Sequence, residues 1–373
     1  MVNWRDYGMI MSLQTFSWAR ADAWAGQVIE RNNKFYFYAS VSRQGGSYAI
    51  GVAVADKITG PYKDALGKPL LANSKIDPTV FIDDDGQAYL YWGNPGLDYV
   101  RLNKDMISYS GSINSVQRDK DGTFQNMAEG PWLYKRNDTY ILVYAAKCCP
   151  EDIRYVTGPS ATGPWTYRGV VMDTQGASFT NHPAVINYKG GDYFFYHNGA
   201  LPGGGGYQRS VSIEKFDYGA NNAIPNMKMT TAGAPQIGSL DPYQRVEAET
   251  IAFSSGLTTA TSSDGGIHVS GISPNDYIKV KGVDFGAAGP ASINLRVAGG
   301  GNGAKIELRL GSTSGTLIAT CAIDSTGGSN SWKTVTCPIT GATTGKQDLF
   351  FKFAGNGNGG LFDFNWWQFT AKA

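Results

Sequence analysis

The sequence lacks both a net charge and a long hydrophobic run. Its 373 residues include 32 basic and 31 acidic side chains, for a net charge of +1 at pH 7. A balanced chain of this kind has no positive field to hold nucleic acid or an anionic membrane surface. No stretch reaches the roughly 18 apolar residues that a membrane-spanning helix needs. We therefore expect neither nucleic acid nor a membrane as a partner.

Cysteine is scarce, with four residues in all. Cys321 and Cys337 lie on two strand-like segments separated by a Gly/Ser turn, which favours a cross-strand disulfide over two free buried thiols. Cys148 and Cys149 are neighbours without a nearby histidine or a second cysteine pair, so they do not suit a zinc site. We interpret them as structural packing or as a bridge between adjacent residues.

Helix signals are also weak, whereas glycine and aromatic residues are abundant. The chain has 48 glycines, and 13% of its residues are aromatic. Tight turns between strands rich in Tyr, Phe and Trp account for this composition. It predicts an all-β protein.

An aromatic strand recurs four times at intervals of about fifty residues, a spacing typical of β-propeller blades. Each copy follows a turn signal of Asn, Asp or Gly. The four segments are residues 35–38, 89–92, 140–144 and 193–196. The repeat predicts a β-propeller in the first part of the chain.

Four positions are equivalent in this repeat: Ala25, Asp77, Glu129 and His182. Each lies just before the first strand of a repeat, and in a propeller those strands line the central axis. We therefore expect the four residues to meet at one end of the channel. Three of them carry ionisable side chains, which indicates a functional site.

Two carboxylates on facing blades are what glycoside hydrolysis requires. Glu129 precedes Gly-Pro-Trp, so we expect a partly apolar environment that raises its pKa and suits a general acid. Asp77 precedes a proline and should stay ionised if it accepts hydrogen bonds. Three interpretations are open for His182: a metal ligand, a sugar contact, or a buried histidine whose hydrogen bonds are made within the protein. Trp24 either stacks on a sugar or belongs to the core.

The chain changes character after about residue 220. Residues 221–240 are rich in Ala, Gly, Pro, Thr and Asn and indicate a linker. From there on, short strands alternate with Gly/Ser/Asn turns, which predicts a β-sandwich. We expect a propeller domain at 1–240, including the linker, and a sandwich domain at 241–373.

The first region resembles glycoside hydrolase family 43, on the segments 76–86, 128–131, 181–183 and 209–211. The resemblance implies a five-bladed propeller that removes arabinofuranose or xylose units from plant polysaccharides by inversion. It makes Glu129 the general acid, has Asp77 tune the acid's pKa and orient the substrate, and brings His182 close to a central calcium ion. Arg209 would lie at the pocket floor.

Residues 22–27 are similar to the family subgroup that acts on arabinoxylan, which adds Asp22 and Trp24 as substrate contacts. The family's general base, an aspartate of the first blade, has no counterpart here, because residues 1–6 resemble the outer edge of that blade. We expect a truncated, incomplete propeller of four full blades plus a remnant. Loss of a base costs a factor of roughly 100 to 10,000 in rate, unless Asp22 or a partner chain replaces it.

The C-terminal region resembles a family 6 carbohydrate-binding module, a jelly-roll sandwich. The resemblance implies a structural calcium site, for which the candidate ligands are Glu247, Glu249 and Asn365. Tyr277 and Trp332 match the aromatic clamp on a xylan chain, although both could be core residues. The family's closing motif has Asn and then Asp, and here Asp363, a candidate sugar contact, precedes Asn365.

The sequence as a whole predicts a secreted, calcium-binding glycoside hydrolase that removes arabinofuranosyl, and by extension xylosyl, units from arabinoxylan. The alternative is a barely active or non-catalytic xylan-binding protein. The N-terminus carries no signal peptide, so we expect secretion to depend on a leader outside this sequence. An unpaired propeller edge favours association, which predicts a homo-oligomer.

Overall fold

A computed structural model describes residues 1–94, 96–116, 123–357 and 359–372. The chain forms two compact units, Ile10–Ala234 and a second one that combines Met1–Met9 with Pro235–Ala373. Strands dominate both, which confirms the predicted all-β class. Nowhere in the described residues is there a helix with the length and apolar character needed to cross a membrane.

The unit Ile10–Ala234 contains three antiparallel sheets of four strands and one of three, each with its strands in chain order. A short strand that belongs to the other unit, β1 (Trp4–Arg5), and a 3-10 turn at Leu13–Thr15 precede them. The sheets consist of β2 (Ala19–Arg31), β3 (Lys34–Arg43), β4 (Tyr48–Ala55) and β5 (Lys63–Asp64); β6 (Thr79–Ile82), β7 (Ala88–Trp92), β8 (Asp98–Leu102) and β9 (Tyr109–Ser115); β10 (Met127–Arg136), β11 (Thr139–Ala146), β12 (Asp152–Gly158) and β13 (Thr166–Met172); and β14 (Ala184–Tyr188), β15 (Gly191–Asn198) and β16 (Ser210–Phe216).

The aromatic repeat forms the second strand of every sheet: β3, β7, β11 and β15. Side chains alternate between the two faces of a strand, and both faces of β11 are buried. Leu142 and Tyr144 pack toward the second sheet, whereas Ile141 and Val143 pack toward the fourth. Successive sheets therefore stack face to face through their aromatic strands.

Hydrogen bonds join the first strands of neighbouring sheets. The Gln27 side chain accepts from the Val80 N–H at 2.8 Å and donates to the Val80 carbonyl at 3.1 Å. Between the third and fourth sheets, the Trp132 indole N–H donates to the Val185 carbonyl at 3.0 Å. These bonds hold the first strands side by side. Ala25 and Glu129 lie on β2 and β10, whereas Asp77 and His182 precede β6 and β14 by two residues.

Residues 1–6 resemble the outer edge of the family's missing first blade, but in the structure they join none of the four sheets of the unit Ile10–Ala234. Strand β1 pairs with Thr250–Ile251 in the other unit. The outer face of the first sheet is instead covered by residues from the segment 10–18, among them Ile10, Met11, Leu13 and Trp18, which pack on its core. The apolar side chains of that segment explain the placement, because they bury surface that the sheet would otherwise expose.

The predicted linker is part of both units. A 3-10 turn at Ala220–Asn222 follows the last sheet, and Met227 forms a parallel bridge with Met172. The division between the units falls at residues 234 and 235, before the end of the segment 221–240. Leu240 then donates its N–H to the Gly282 carbonyl, inside the second unit.

The second unit is a β-sandwich of two antiparallel sheets whose inner faces share one core. One sheet has the order β20-β21-β28-β23-β26, with β17 on β28, and the other β19-β22-β27-β24-β25, while β1 pairs with β18. The strands are β17 (Val246–Glu247), β18 (Thr250–Ile251), β19 (Phe253–Ser255), β20 (Thr258–Thr261), β21 (Ile267–Ser270), β22 (Tyr277–Asp284), β23 (Pro290–Gly299), β24 (Lys305–Leu310), β25 (Thr316–Ala322), β26 (Lys333–Pro338), β27 (Lys346–Ala354) and β28 (Phe362–Ala371).

The predicted disulfide between Cys321 and Cys337 is present. It does not cross a strand pair, however, because Cys321 lies on β25 and Cys337 on β26, the end strands of different sheets. The bond therefore joins the two layers of the sandwich at one edge. Local sequence could indicate the pairing but not this role, since sheet membership depends on the order of all the strands.

The Gln27 bridge provides a test of how the first two sheets are held together. Replacing Gln27 with Leu leaves the buried N–H and carbonyl of Val80 unpaired, which should cost about 1–3 kcal/mol for each group. Urea denaturation of the unit Ile10–Ala234 measures the loss. Gln44→Ala is the control, because that exposed side chain accepts one 3.4 Å bond from Arg20. Equal stability of the two variants would contradict the bridging role.

Candidate active site

A cavity of about 850 Å³ opens in the unit Ile10–Ala234. All four equivalent repeat positions line it, so the structure brings together the residues that the repeat aligns. Of the predicted substrate contacts, the cavity also includes Trp24 and Arg209, but Asp22 is exposed and lies outside the lining. The lining consists of Ala23, Trp24, Ala25, Ile76, Asp77, Asn94, Glu129, Cys148, Cys149, Thr180, His182, His197, Tyr207 and Arg209.

Asp77 lies deep in this cavity and is 3% exposed. It has a left-handed backbone with φ of 64°, and its N–H donates to Ser40 Oγ at 2.9 Å. Its Oδ2 accepts a 3.0 Å hydrogen bond from the Gly130 N–H. Burial raises the pKa of Asp77 to about 6, against the opposing effect of that hydrogen bond. A pKa of about 6 leaves Asp77 mostly ionised at pH 7.

Glu129 lies on β10 between two irregularities in its pairing with β11. Burial and, second to it, the negative charge of Asp77 raise the pKa of Glu129 to about 7. The Arg209 charge and the Asn94 amide, which donates to Glu129 Oε2 at 2.5 Å, act in the opposite direction. A large fraction of Glu129 therefore carries a proton near neutrality, which is what a general acid needs.

Gly130 connects the two carboxyl groups with His182. Its φ of 59° is left-handed, and a Cβ there would lie 3.2 Å from His182 Nδ1. Glycine allows this backbone to approach the histidine ring and still donate to Asp77. The geometry of the site thus favours glycine at residue 130.

His182 follows residues 180–181, which are held by a side chain of β15, His197, and by two loop side chains, Glu151 and Arg209. Asn181 donates its N–H to buried Glu151 Oε2 at 2.6 Å. The Thr180 carbonyl lies 2.8 Å from His197 Nε2, and Thr180 Oγ1 accepts from Arg209 at 3.1 Å. Burial, followed by the Arg209 charge, lowers the pKa of His182 to about 4. The ring is neutral at physiological pH and can offer a lone pair.

The predicted metal role of His182 has little support from neighbouring ligands. In the described part of the chain, one group of three His, Cys, Asp or Glu side chains has ligand atoms within 4.8 Å of one another, namely Cys148, Cys149 and Glu151. His182 is not in it. The central calcium therefore stays a prediction.

The adjacent cysteines form a disulfide with each other. This is the second of the two interpretations that the sequence left open. Both residues are exposed and line the cavity, so the bond forms part of its wall. Sequence reasoning did not place them there, since they lie in the loop after β11, outside the repeat positions.

Sequence reasoning also missed Asn94, Thr180, His197 and Tyr207. Asn94 could have been found, because it follows the aromatic strand β7 at the end where Glu129 lies on the next sheet. His197 is placed by its contacts with Thr180 and Asn181 in the loop before β14, which strand spacing alone does not reveal. The exposed Trp24 lines the cavity. Its ring packs against Tyr48, with ring centroids 5.2 Å apart.

A second cluster lies in the sandwich around two of the three predicted sugar contacts. The Trp332 and His268 ring centroids are 5.1 Å apart, and His268 Nε2 lies 3.5 Å from Asp363 Oδ1. Tyr277 packs instead beside Phe253 and Phe350. It begins β22, whereas Trp332 precedes β26 in the other sheet, so a clamp formed by the two stays a prediction.

The predicted calcium ligands of the sandwich supply oxygen atoms that have few partners. Glu249 is 1% exposed, and the one side chain that pairs with its carboxylate is Arg5; Oδ1 of fully buried Asn365 accepts no hydrogen bond among the described residues. The Asn365 carbonyl accepts from the Ala248 N–H, between Glu247 and Glu249. Arg5 forms ion pairs with both glutamates, at 3.8 and 3.4 Å. Oxygen donors of this kind suit calcium, and the Arg5 charge competes with it.

The raised pKa of Glu129 predicts how stability depends on pH. Its pKa is 4.5 ordinarily and about 7 here, so the folded state binds more protons in this window and loses stability as the pH rises through it. Glu129→Gln should remove about 1–3 kcal/mol of the stability difference between pH 5 and pH 8. Denaturation at both pH values checks this. Asp56→Asn, at an exposed carboxylate, should leave the difference unchanged; an unchanged difference in Glu129→Gln would refute the assignment.

Comparison with known proteins follows the same division of the chain. An arabinoxylan arabinofuranohydrolase of Bacillus subtilis is 37% identical over all of this chain, which spans 82% of that protein. One from Paenibacillus polymyxa is 33% identical over 99% of this chain, which spans 65% of its length. A crystal structure of the Bacillus subtilis family 43 arabinoxylan arabinofuranohydrolase with cellotetraose has a TM-score of 0.87 at 35% identity, and covers 100% of this chain and 86% of that one.

The family models agree with both domains. "Glycosyl hydrolases family 43" matches residues 1–224, which is more than half of the chain. "Carbohydrate binding module (family 6)" matches residues 247–371. The chain therefore belongs to glycosyl hydrolase family 43 and carries a family 6 carbohydrate-binding module at its C-terminal end.

Proposed function

We propose that this protein removes arabinofuranosyl, and by extension xylosyl, units from arabinoxylan by inversion, and that its C-terminal module binds xylan. The observation that carries the proposal is the pairing of Asp77 and Glu129 in one cavity, linked through the Gly130 N–H. The relatives that are arabinoxylan arabinofuranohydrolases support the same substrate. Since that substrate is a plant polysaccharide, we place the activity outside the cell.

Glu129 is the general acid in this proposal. Its proton passes to the glycosidic oxygen as the bond to the arabinose C1 breaks, and the departing xylan chain leaves with a hydroxyl. Asp77, ionised and buried, keeps the Glu129 pKa high and so keeps that proton in place. His182 and Arg209 line the same cavity and contact the sugar.

The described lining of the cavity supplies no further carboxylate to act as the general base that activates water. Among the described lining residues, Asp77 and Glu129 are the carboxylates, and Asp22 lies outside the lining. We propose that water attack is slow, by a factor of roughly 100 to 10,000 relative to a complete acid and base pair. A xylan-binding protein with little or no catalysis is the second candidate, and the same observation favours it.

The proposal extends to the blade number, the association and the calcium binding of the protein. The four sheets of Ile10–Ala234 are blades of an incomplete five-bladed propeller, and its open edge joins a second copy of the chain. Calcium bound by Glu247, Glu249 and Asn365 would neutralise the buried carboxylates of the sandwich and so stabilise it. Two buried groups support this part of the proposal: the Glu249 carboxylate, whose side-chain partner is Arg5 alone, and Asn365 Oδ1, which accepts no hydrogen bond among the described residues.

Arabinose release separates the two candidates. The protein should release arabinose from arabinoxylan slowly, and Glu129→Gln should lower the rate at least about 100-fold because the leaving oxygen is no longer protonated. Chromatography of the released sugars measures both rates. Equal release by the two proteins, or none from either, would reject the enzyme and leave the xylan-binding protein.

Azide provides a control for the missing base. It needs no deprotonation to attack C1, so it should raise the rate and yield an arabinosyl azide of inverted configuration. Asp22→Asn should behave like the unmodified protein if Asp22 is not the base. A drop in rate with Asp22→Asn that azide restores would instead identify Asp22 as the base.

Calcium binding predicts a gain in stability of the sandwich. Calcium at 100 times its dissociation constant should raise the free energy of unfolding by about 2.7 kcal/mol, and the thermal transition of the second unit should shift upward. Chelator-treated protein with and without calcium gives the comparison. Glu249→Gln should abolish the shift, and Glu307→Gln, an acidic control on β24, should keep it. A shift that survives Glu249→Gln would place calcium elsewhere.

A further inference from the structure

Two aromatic side chains at the rim of the cavity are exposed, and the proposed chemistry does not use them. Tyr207 lines the cavity and is 65% exposed, and Phe179 is 48% exposed. Their ring centroids lie 5.3 Å apart in an edge-to-face arrangement, with an angle of 83° between the planes. Exposed aromatic groups beside a concave polar site are typical of a ligand-contact surface.

The backbone holds this aromatic pair in a fixed frame. Phe179 donates its N–H to the Gly206 carbonyl at 2.9 Å, and Gly206 donates to the Ala177 carbonyl at 3.0 Å. Gly205 and Gln208 exchange both of their backbone hydrogen bonds around the tyrosine. Because the frame is already ordered, a ligand that stacks on the rings pays little additional conformational entropy.

The pair also has a defined place relative to the carboxylates. Phe179 directly precedes Thr180, and Tyr207 lies two residues before Arg209; both of those neighbours line the cavity. Asp77, by contrast, is nearly inaccessible. A branched polysaccharide whose cleavable bond reaches Asp77 must therefore leave the rest of its chain on the exposed rim.

We infer that Phe179 and Tyr207 form a stacking platform for the pentose rings of a neutral polysaccharide main chain whose branch enters the cavity. This inference rests on the proposed function. Phe179 has no polar side-chain atom, so it contacts the C–H face of a sugar and forms no hydrogen bonds with its hydroxyl groups. The platform thus selects a polymer over a small glycoside, and it requires no charge on the ligand.

Kinetics on two substrates test the platform. Phe179→Ala and Tyr207→Ala should each lower the ratio of kcat/KM for an arabinoxylan oligosaccharide to kcat/KM for an aryl arabinofuranoside by about 10-fold, a loss of about 1.4 kcal/mol of binding. Tyr207→Phe keeps the ring and should keep the ratio. Tyr188→Ala, at a 44% exposed tyrosine on β14 outside the lining, is the matched control. An unchanged ratio in both alanine variants would overturn the inference.

Hydrogen exchange gives a second measurement that does not depend on turnover. Xylohexaose should slow amide exchange in segments 176–183 and 203–210, and the double variant Phe179→Ala/Tyr207→Ala should lose that protection. Protection confined to residues 235–372 would place all binding in the sandwich and refute the platform. Rim protection without arabinose release would instead reject the proposed hydrolysis and retain the platform as a binding site.

Discussion

The hydrogen bond from the Gly130 N–H to Asp77 Oδ2 is the contact on which the candidate site depends. It joins the second and third sheets at the cavity, and it directly follows Glu129 in the chain. A side chain at residue 130 would strain the left-handed backbone and press on His182. The peptide group of Gly130 therefore holds Asp77 beside Glu129 and leaves room for the His182 ring.

The candidate site buries several carboxyl groups close together, which is electrostatically unfavourable. Burial raises the pKa of Asp77, Glu129 and Glu151, and each of the last two is raised further by a neighbouring carboxylate. Isolated charges in such an environment are costly. The stacked aromatic strands and the bonds between the sheets supply the stability that offsets this cost.

Much of the site could be inferred from the repeat alone. Because the repeat places Ala25, Asp77, Glu129 and His182 at equivalent points of successive sheets, they were expected to reach the same end of the unit, and all four line one cavity. The placement of residues 1–6 could not be inferred. Strand β1 has two residues, and a segment so short carries no pattern that distinguishes one sheet edge from another.

The sequence by itself determined the strand class, the repeat, the domain order and the identity of the acidic pair, since all of these follow from local residue patterns and their spacing. Tertiary structure alone decided which side chains complete the cavity. His197 on the fourth sheet and the Cys148–Cys149 bond after β11 line it together, and Cys321 and Cys337 prove to connect separate layers. Such contacts depend on how sheets stack, a property of the whole fold that no local pattern encodes.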